Sequence, residues 1–233
     1  MKLLHIILVL CTFIGISCTP ENKIEAEQKP INETLPPKSE FPDIVISTDK
    51  AMYNPGDEVI VRASGGSTAG LGVRYWHLGD VIEEAMIDGA KEWTWNPPAE
   101  DFKGYFVELV GKDESGKIVT LSTTGVDVSS CWTRFPRYGY LGRFDNCPAL
   151  KREKVLNNLN RHHINALQYY EWAYDHHHPL CGTPENPEPV WEKYLSNGGK
   201  NLCELEVIQG YIEQGHKYNM VSMFYNLCNG LFE

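Results

Sequence analysis

Apolar and polar residues alternate in short runs from residue 43 to residue 128. Turn-forming residues separate these runs, as at Asn54-Pro55-Gly56-Asp57, where Pro fixes φ and Gly is free to take a positive φ. Short strands at this spacing, without a helical period, predict an antiparallel β-sandwich. The predicted strands cover residues 44–46, 58–63, 73–78, 93–95, 105–110 and 118–122.

A different pattern begins at residue 129. Val155, Leu156 and Leu159 lie at helical spacing among Lys, Arg and Asn, and a second helical pattern occurs further along. An apolar run that indicates a buried strand follows each predicted helix, and the order helix, strand, long loop, helix, strand predicts the start of a parallel α/β arrangement. The predicted elements are helices 150–161 and 202–218 and strands 164–170 and 220–226.

The first 42 residues carry the features of an export segment and a tether. A positive charge at Lys2 and an apolar run up to residue 16 predict a signal peptide over residues 1–17. Ser17-Cys18 resembles a bacterial lipobox, so Cys18 is the expected lipidation site, and the alternative is an ordinary signal peptide cut nearby. Residues 19–42 contain five Pro and five Glu, which predicts an extended, solvated linker over 18–42. We therefore expect an exported cell-envelope lipoprotein, facing the periplasm or the cell surface, that contacts the membrane through its lipid anchor only.

Composition narrows the possible partners. The 233 residues are 42% hydrophobic and 11% aromatic, enough to bury a core, which excludes a disordered chain. With 21 Lys and Arg against 31 Asp and Glu, the net charge of −10 argues against a nucleic-acid partner. Five Cys remain outside Cys11 and Cys18; the number is odd, so at least one thiol stays free or pairs elsewhere. No CxxC pair occurs, so no zinc cluster is expected.

Candidate chemistry follows the two strands predicted in the second segment. A polar and aromatic cluster at 171–178, including three consecutive His, comes after the first strand, and Tyr225-Asn226 ends the second. Functional groups of a β/α barrel lie at the C-terminal ends of its strands. Neighbouring His side chains in an extended loop point apart, so we predict no metal site there, and no cofactor is indicated.

Four stretches of the chain resemble glycoside hydrolase family 66, which contains dextranases and cycloisomaltooligosaccharide glucanotransferases. Residues 132–141 are similar to the entry of its catalytic barrel, and residues 159–172 to its first barrel strand, with Glu171 where the family has Asp. The match continues at 176–180 and 223–227. In addition, residues 49–57 resemble the opening of bacterial immunoglobulin-like modules, which fits such a domain ahead of the barrel.

The resemblance implies an immunoglobulin-like β-sandwich at 43–128, followed at 129–233 by the first units of a TIM (β/α)8 barrel. A complete barrel takes about 250 residues, so we expect the 105 residues of this segment to form an incomplete, truncated barrel of about two strands. The family implies a retaining α-1,6-glucan hydrolase or transglycosylase, which needs two carboxylates about 5–5.5 Å apart. No residue here matches them, so no catalytic residue is assigned.

The implied partner is an α-glucan polysaccharide or isomaltooligosaccharides. Expected substrate-binding residues are Tyr170, Glu171, Trp172, His177 and Asn226. Alternatives stay open at several of them: Glu171 is a sugar ligand or a structural carboxylate, and Tyr170 and Trp172 are sugar platforms or core residues. Trp76, Trp93 and Trp95 are expected in the sandwich core rather than on a sugar-binding face.

Two other functions compete with the N-terminal part of an enzyme. The chain is alternatively a surface lipoprotein that binds or interacts through a carbohydrate-binding module. A third interpretation is an inactive fragment that does not fold beyond residue 128, because a two-strand barrel piece leaves an open parallel edge.

Overall fold

The computed structural model describes residues 43–194 and 200–227. The predicted signal peptide, Cys18 and the linker therefore lie outside the described residues. No helix within these two ranges is long and apolar enough to cross a membrane.

Seven antiparallel strands form the first part of the described chain. They make two sheets, with strand orders β1-β2-β5 and β4-β3-β6-β7. Residues of both sheets share one hydrophobic core, so the arrangement is the predicted β-sandwich. The strands are β1 (Val45–Thr48), β2 (Val59–Ser64), β3 (Gly72–His77), β4 (Asp80–Met86), β5 (Glu92–Trp95), β6 (Lys103–Lys112) and β7 (Ile118–Val128).

Strand β4 was not predicted from the sequence. All seven of its residues are exposed, and its pairing with β3 is irregular between Tyr75 and Trp76. An edge strand with no buried face does not need to alternate apolar and polar residues, so the sequence of β4 shows no strand pattern.

The three tryptophans of the sandwich occupy different depths. Trp95 is 2% exposed and stacks on Tyr75, with ring centroids 4.2 Å apart. Trp93 is partly buried against the same core and donates its indole N–H to the Tyr75 hydroxyl. Trp76 is half-buried on the other side of the sheet and donates to the Glu108 carboxylate.

The second part of the described chain contains a three-stranded parallel sheet of order β12-β9-β8. Helix α1 connects β8 to β9 and helix α2 leads into β12, so the predicted parallel α/β arrangement is confirmed. Within the described residues the sheet has three strands and is not closed into a barrel. The elements are β8 (Tyr138–Leu141), α1 (Ala149–Arg161), β9 (Ala166–Tyr169), β10 (Val190–Tyr194), β11 (Lys200–Glu204), α2 (Leu205–Lys217) and β12 (Val221–Phe224).

Two sequence expectations for this part were wrong. The parallel sheet has three strands rather than two, because β8 precedes α1. The second helix begins at Leu205 and not at residue 202, since residues 202–204 belong to the antiparallel β10–β11 hairpin. Cross-strand pairing of Cys203 with the buried Trp191 favours the strand there, which no local pattern indicates.

Alternation along the parallel strands separates a buried face from an open one. Leu167 and Tyr169 are both 0% exposed and join a second core formed with α1 and α2. On the opposite face of β8, Tyr138 is 56% and Tyr140 67% exposed. The sheet therefore packs one face on its helices and presents aromatic rings on the other.

A polar junction joins the sandwich to the α/β part. Asn160 of α1 is 2% exposed and donates to the Thr48 carbonyl at 2.8 Å, and Asn219 donates to the Met52 carbonyl at 2.9 Å. The Ala51 N–H donates to the Tyr218 carbonyl, and Ala51 itself lies in the second core. Hydrogen bonds to backbone carbonyls fix the register of this contact in addition to apolar packing.

His163 completes this junction against strand β7. Its Nε2 lies 3.2 Å from the Thr124 hydroxyl. Burial lowers the pKa of the imidazole, and the nearby Arg137 and His162 side chains lower it further. The neutral ring can then accept a hydrogen bond from Thr124 without placing a second cation beside Arg137.

Candidate functional site

The candidate site lies where the three parallel strands end side by side. Leu141 pairs with Tyr169, and Tyr169 pairs with Phe224, so the segments after β8, β9 and β12 leave the sheet at the same edge. This edge carries the residues selected from the sequence at 170–178 and 225–226. Their side chains belong to separate stretches of the chain and are brought together by the parallel register.

Four tyrosines, Tyr138, Tyr140, Tyr170 and Tyr225, form a continuous row, which we call the tyrosine row. It runs along β8 from the first residue of that strand, Tyr138, and crosses at the carboxyl edge of the sheet from Tyr140 to Tyr170 and Tyr225. Neighbouring ring centroids are 6.5 Å apart for Tyr138 and Tyr140, 5.8 Å for Tyr140 and Tyr170, and 4.8 Å for Tyr170 and Tyr225. His176 extends the row, with its ring 6.0 Å from that of Tyr225. Tilted and edge-to-face contacts at these distances are favourable, so the rings hold one another while they remain accessible.

Tyr170 and Trp172 have different environments, although sequence reasoning treated them alike. Tyr170 is 41% exposed and lies in the tyrosine row. Trp172 is partly buried against the second core, with its ring 4.7 Å from Phe224. Its indole N–H donates to the Tyr225 carbonyl at 2.9 Å. Core packing is therefore the better interpretation of Trp172, which stabilises the tyrosine row through its contacts with Phe224 and the Tyr225 carbonyl.

Glu171 sits between these two aromatic residues in a left-handed backbone conformation, with φ of 58°. Its Oε2 lies 3.5 Å from Nζ of Lys193, and the two side chains are 27% and 9% exposed. The carboxylate is thus half-buried, accessible on one side and paired with a buried ammonium group on the other.

The histidines of the 176–178 run have different partners. Nδ1 of His177 lies 2.9 Å from the Asp175 carboxylate, with the His177 side chain 58% exposed, and Nε2 of His178 lies 3.0 Å from the Gly182 carbonyl. The ring of His176 faces Tyr225. No group of three or more metal-ligating side chains occurs among the described residues. Asn226 is exposed and directly follows Tyr225 at the same sheet edge.

The four cysteines in the described ranges, Cys131, Cys147, Cys181 and Cys203, are free thiols. Cys203 is 2% exposed, and burial raises the pKa of its thiol to about 11. A thiol that stays protonated is a weak nucleophile, so Cys203 contributes packing rather than chemistry.

A cavity of about 540 Å³ adjoins the tyrosine row at Tyr140. Its wall includes the side chains of Arg143, Asp145, Asn146 and Lys151. The accessible aromatic surface of the row therefore borders hydrogen-bond donors and acceptors, the combination that small polar ligands with an apolar face require.

Three residues of this site were not predicted from the sequence: Tyr138, Tyr140 and Lys193. Tyr138 and Tyr140 alternate with Gly139 and Leu141, and that alternation was the available signal for β8. No local sequence pattern indicates that Lys193 is buried, because its burial depends on the β10–β11 hairpin packing against Glu171.

The arrangement suits binding better than bond cleavage by its own groups. Exposed aromatic rings with polar neighbours can contact ring-shaped polar ligands, which have both C–H faces and hydroxyl edges. Retaining glycoside cleavage needs two carboxylates about 5–5.5 Å apart. At this edge Glu171 pairs with Lys193, and Asp175 pairs with His177.

Comparison with known proteins gives a consistent family. A cycloisomaltooligosaccharide glucanotransferase of Niallia circulans is 30% identical over 77% of this chain and 19% of its own length. A dextranase of Streptococcus salivarius is 25% identical over 60% of this chain and 17% of its own length. The chain therefore spans less than a fifth of each of these relatives.

A solved structure and a sequence model of the family agree with these relatives. The crystal structure of a Paenibacillus sp. cycloisomaltooligosaccharide glucanotransferase complexed with cycloisomaltoheptaose matches with a TM-score of 0.64 and 29% identity. The match covers 78% of this chain and 27% of the chain in that crystal structure. The model of glycosyl hydrolase family 66 matches residues 48–233. The chain therefore belongs to glycosyl hydrolase family 66.

Proposed function

We propose that this chain is the N-terminal portion of an exported, dextranase-like glycoside hydrolase that acts on α-1,6-glucan, with retention of configuration in the full-length relative. The observation that carries the proposal is the tyrosine row, in which Tyr140 is the last residue but one of β8, and Tyr170 and Tyr225 directly follow the carboxyl ends of β9 and β12. The relatives support the substrate class, since their names are dextranase and cycloisomaltooligosaccharide glucanotransferase.

We also propose how the two described parts of the chain fit into a complete enzyme fold. The three parallel strands are the first units of a TIM (β/α)8 barrel, and the sandwich is an immunoglobulin-like support ahead of it. In this arrangement the tyrosine row lies at the C-terminal face of the barrel, where such enzymes bind their substrates.

Each residue of the site has a distinct role in the proposal. Tyr170 contacts the C–H face of a glucosyl ring, and its neighbours in the row extend that surface. Glu171, His177 and Asn226 exchange hydrogen bonds with sugar hydroxyls. Trp172 donates its indole N–H to the Tyr225 carbonyl and so links the segment after β9 to the segment after β12. This link keeps Tyr170 beside Tyr225.

A binding module without hydrolytic activity is the second candidate. The pairing of Glu171 with the Lys193 ammonium group and of Asp175 with the His177 ring favours it, because both carboxylates already have partners within the chain. Both candidates share the tyrosine row and the sugar partner, so they differ in bond cleavage rather than in binding.

We expect the full chain to bind isomaltooligosaccharides and to release no reducing sugar from dextran. Titration calorimetry with isomaltoheptaose measures binding, and cellohexaose serves as a matched β-linked control. Reducing-sugar release above a buffer blank would contradict the absence of catalysis. Absence of heat at millimolar sugar would refute the glucan-binding role in both candidates.

In the same proposal Cys18 carries a lipid anchor that tethers the protein to the cell envelope. Growth with an alkyne-labelled fatty acid should label the expressed protein, and Cys18→Ser should remove the label. Equal labelling of the Cys18→Ser variant would contradict the anchor.

A further inference from the structure

One hairpin supports the segment that follows strand β9. Trp191 of β10 donates its indole N–H to the Trp172 carbonyl at 3.1 Å, and Sγ of Cys203 in β11 lies 4.0 Å from the Glu171 carbonyl. Lys193 of β10 adds its ion pair with the Glu171 carboxylate at 3.5 Å. Three side chains of the β10–β11 hairpin thus converge on the two residues that follow Tyr170.

Lys193 is unusual among the lysines of this hairpin because it is buried. Its side chain is 9% exposed, whereas Lys200 on β11 is 51% exposed and pairs with the equally exposed Glu192 at 2.7 Å. Lysine is rarely buried without a counter-charge, because the ammonium group loses its hydration. The Lys193–Glu171 pair is therefore a specific feature of the fold, while the Lys200–Glu192 pair is an ordinary surface pair.

Glu171 needs support of this kind because of its backbone. A φ of 58° is uncommon for a residue with a side chain, because the Cβ approaches the following carbonyl oxygen. The turn at this position lets Tyr170 join the tyrosine row while Trp172 packs on Phe224. Contacts that hold both the carboxylate and the carbonyl of Glu171 keep this turn in place.

We infer that Lys193 is a positioning residue of the glucan site: it holds Oε2 of Glu171, so that Oε1 accepts a sugar hydroxyl and Tyr170 stays in the row. The inference rests on the proposed function. Lys193 itself contacts no sugar, and it acts through Glu171. Glu171 is one methylene longer than the Asp expected at this position from family resemblance, and that length lets it reach the hairpin.

The test compares Lys193→Met with Lys200→Met in the full chain. Lys193→Met should lower the affinity for isomaltoheptaose roughly tenfold, the effect of losing one well-placed charged hydrogen bond. Its melting temperature should stay near that of the wild type, because Met fills a similar buried volume and the Glu171 carboxylate that loses its partner is 27% exposed, so water can solvate it. Lys200→Met should change neither property. Glu171→Asp keeps the charge but shortens the side chain, so it should lose affinity as Lys193→Met does.

A second measurement does not depend on sugar. The ring resonance of Tyr170 in protein with labelled tyrosine, assigned with Tyr170→Phe, should shift in Lys193→Met and not in Lys200→Met. An unchanged Tyr170 resonance with unchanged affinity would overturn the inference. Loss of affinity together with loss of cooperative unfolding would also overturn it, since Lys193 would then be merely structural. If the wild type binds no isomaltoheptaose, the proposed function fails, and the Tyr170 resonance alone decides whether Lys193 positions the row.

Discussion

Leu156→Ala is expected to lower the free energy of unfolding of the α/β part by about 3 kcal/mol. Leu156 of α1 is 0% exposed and lies in the second core, between the parallel sheet and the two helices. Truncation removes buried methyl groups and leaves a cavity that the surrounding side chains fill only in part. Chemical denaturation of the full chain, followed by circular dichroism, measures the loss.

Leu150→Ala is the matched control for this prediction. Leu150 lies on the same helix but is 73% exposed, so the same substitution should change stability by less than about 0.5 kcal/mol. Equal effects at the two positions would mean that the second core is not packed in solution. That result would favour the interpretation that the chain does not fold beyond residue 128.

The burial of one face decided which elements were predictable from sequence. The strands of the sandwich alternate because their inner residues, such as Val59 and Val61, are 0% exposed while residues between them are not. Strand β4 lacks a buried face and gave no signal. Strand β8 has four residues, of which Tyr138 and Tyr140 point outward and Leu141 alone is buried, so its alternation is too short to mark a strand.

Long-range pairing explains the other differences between sequence and structure. Residues 202–204 have no strand signal of their own, and their pairing partners are residues 190–192, ten or more positions earlier in the chain. For the site, Tyr170 was predictable because it directly follows an apolar strand. Lys193 was not predictable, because the hairpin that contains it was not predicted. Without that hairpin a lysine is expected on the surface, whereas the fold buries Lys193 beside Glu171.

The largest effect on binding is expected at Tyr170. Tyr170→Ala should weaken isomaltoheptaose binding by roughly tenfold or more, because it removes the central ring of the tyrosine row and the aromatic contact that it offers. Loss of this ring also leaves Tyr140 and Tyr225 without their shared neighbour, at 5.8 Å and 4.8 Å respectively. The stability cost should be small, since the side chain is 41% exposed.

Tyr174→Ala separates a specific contact from a general loss of aromatic surface. Tyr174 lies four residues further on, is 49% exposed and contacts His178 edge-on at 6.4 Å, away from the row. It has the same chemistry and similar exposure, so it should leave the affinity measured by titration calorimetry within about twofold. A loss as large as that of Tyr170→Ala would place the sugar against Tyr174 and His178 rather than along the tyrosine row. Unchanged affinity in Tyr170→Ala would remove the tyrosine row from the binding site, because the row has no other ring that bridges β8 and β12.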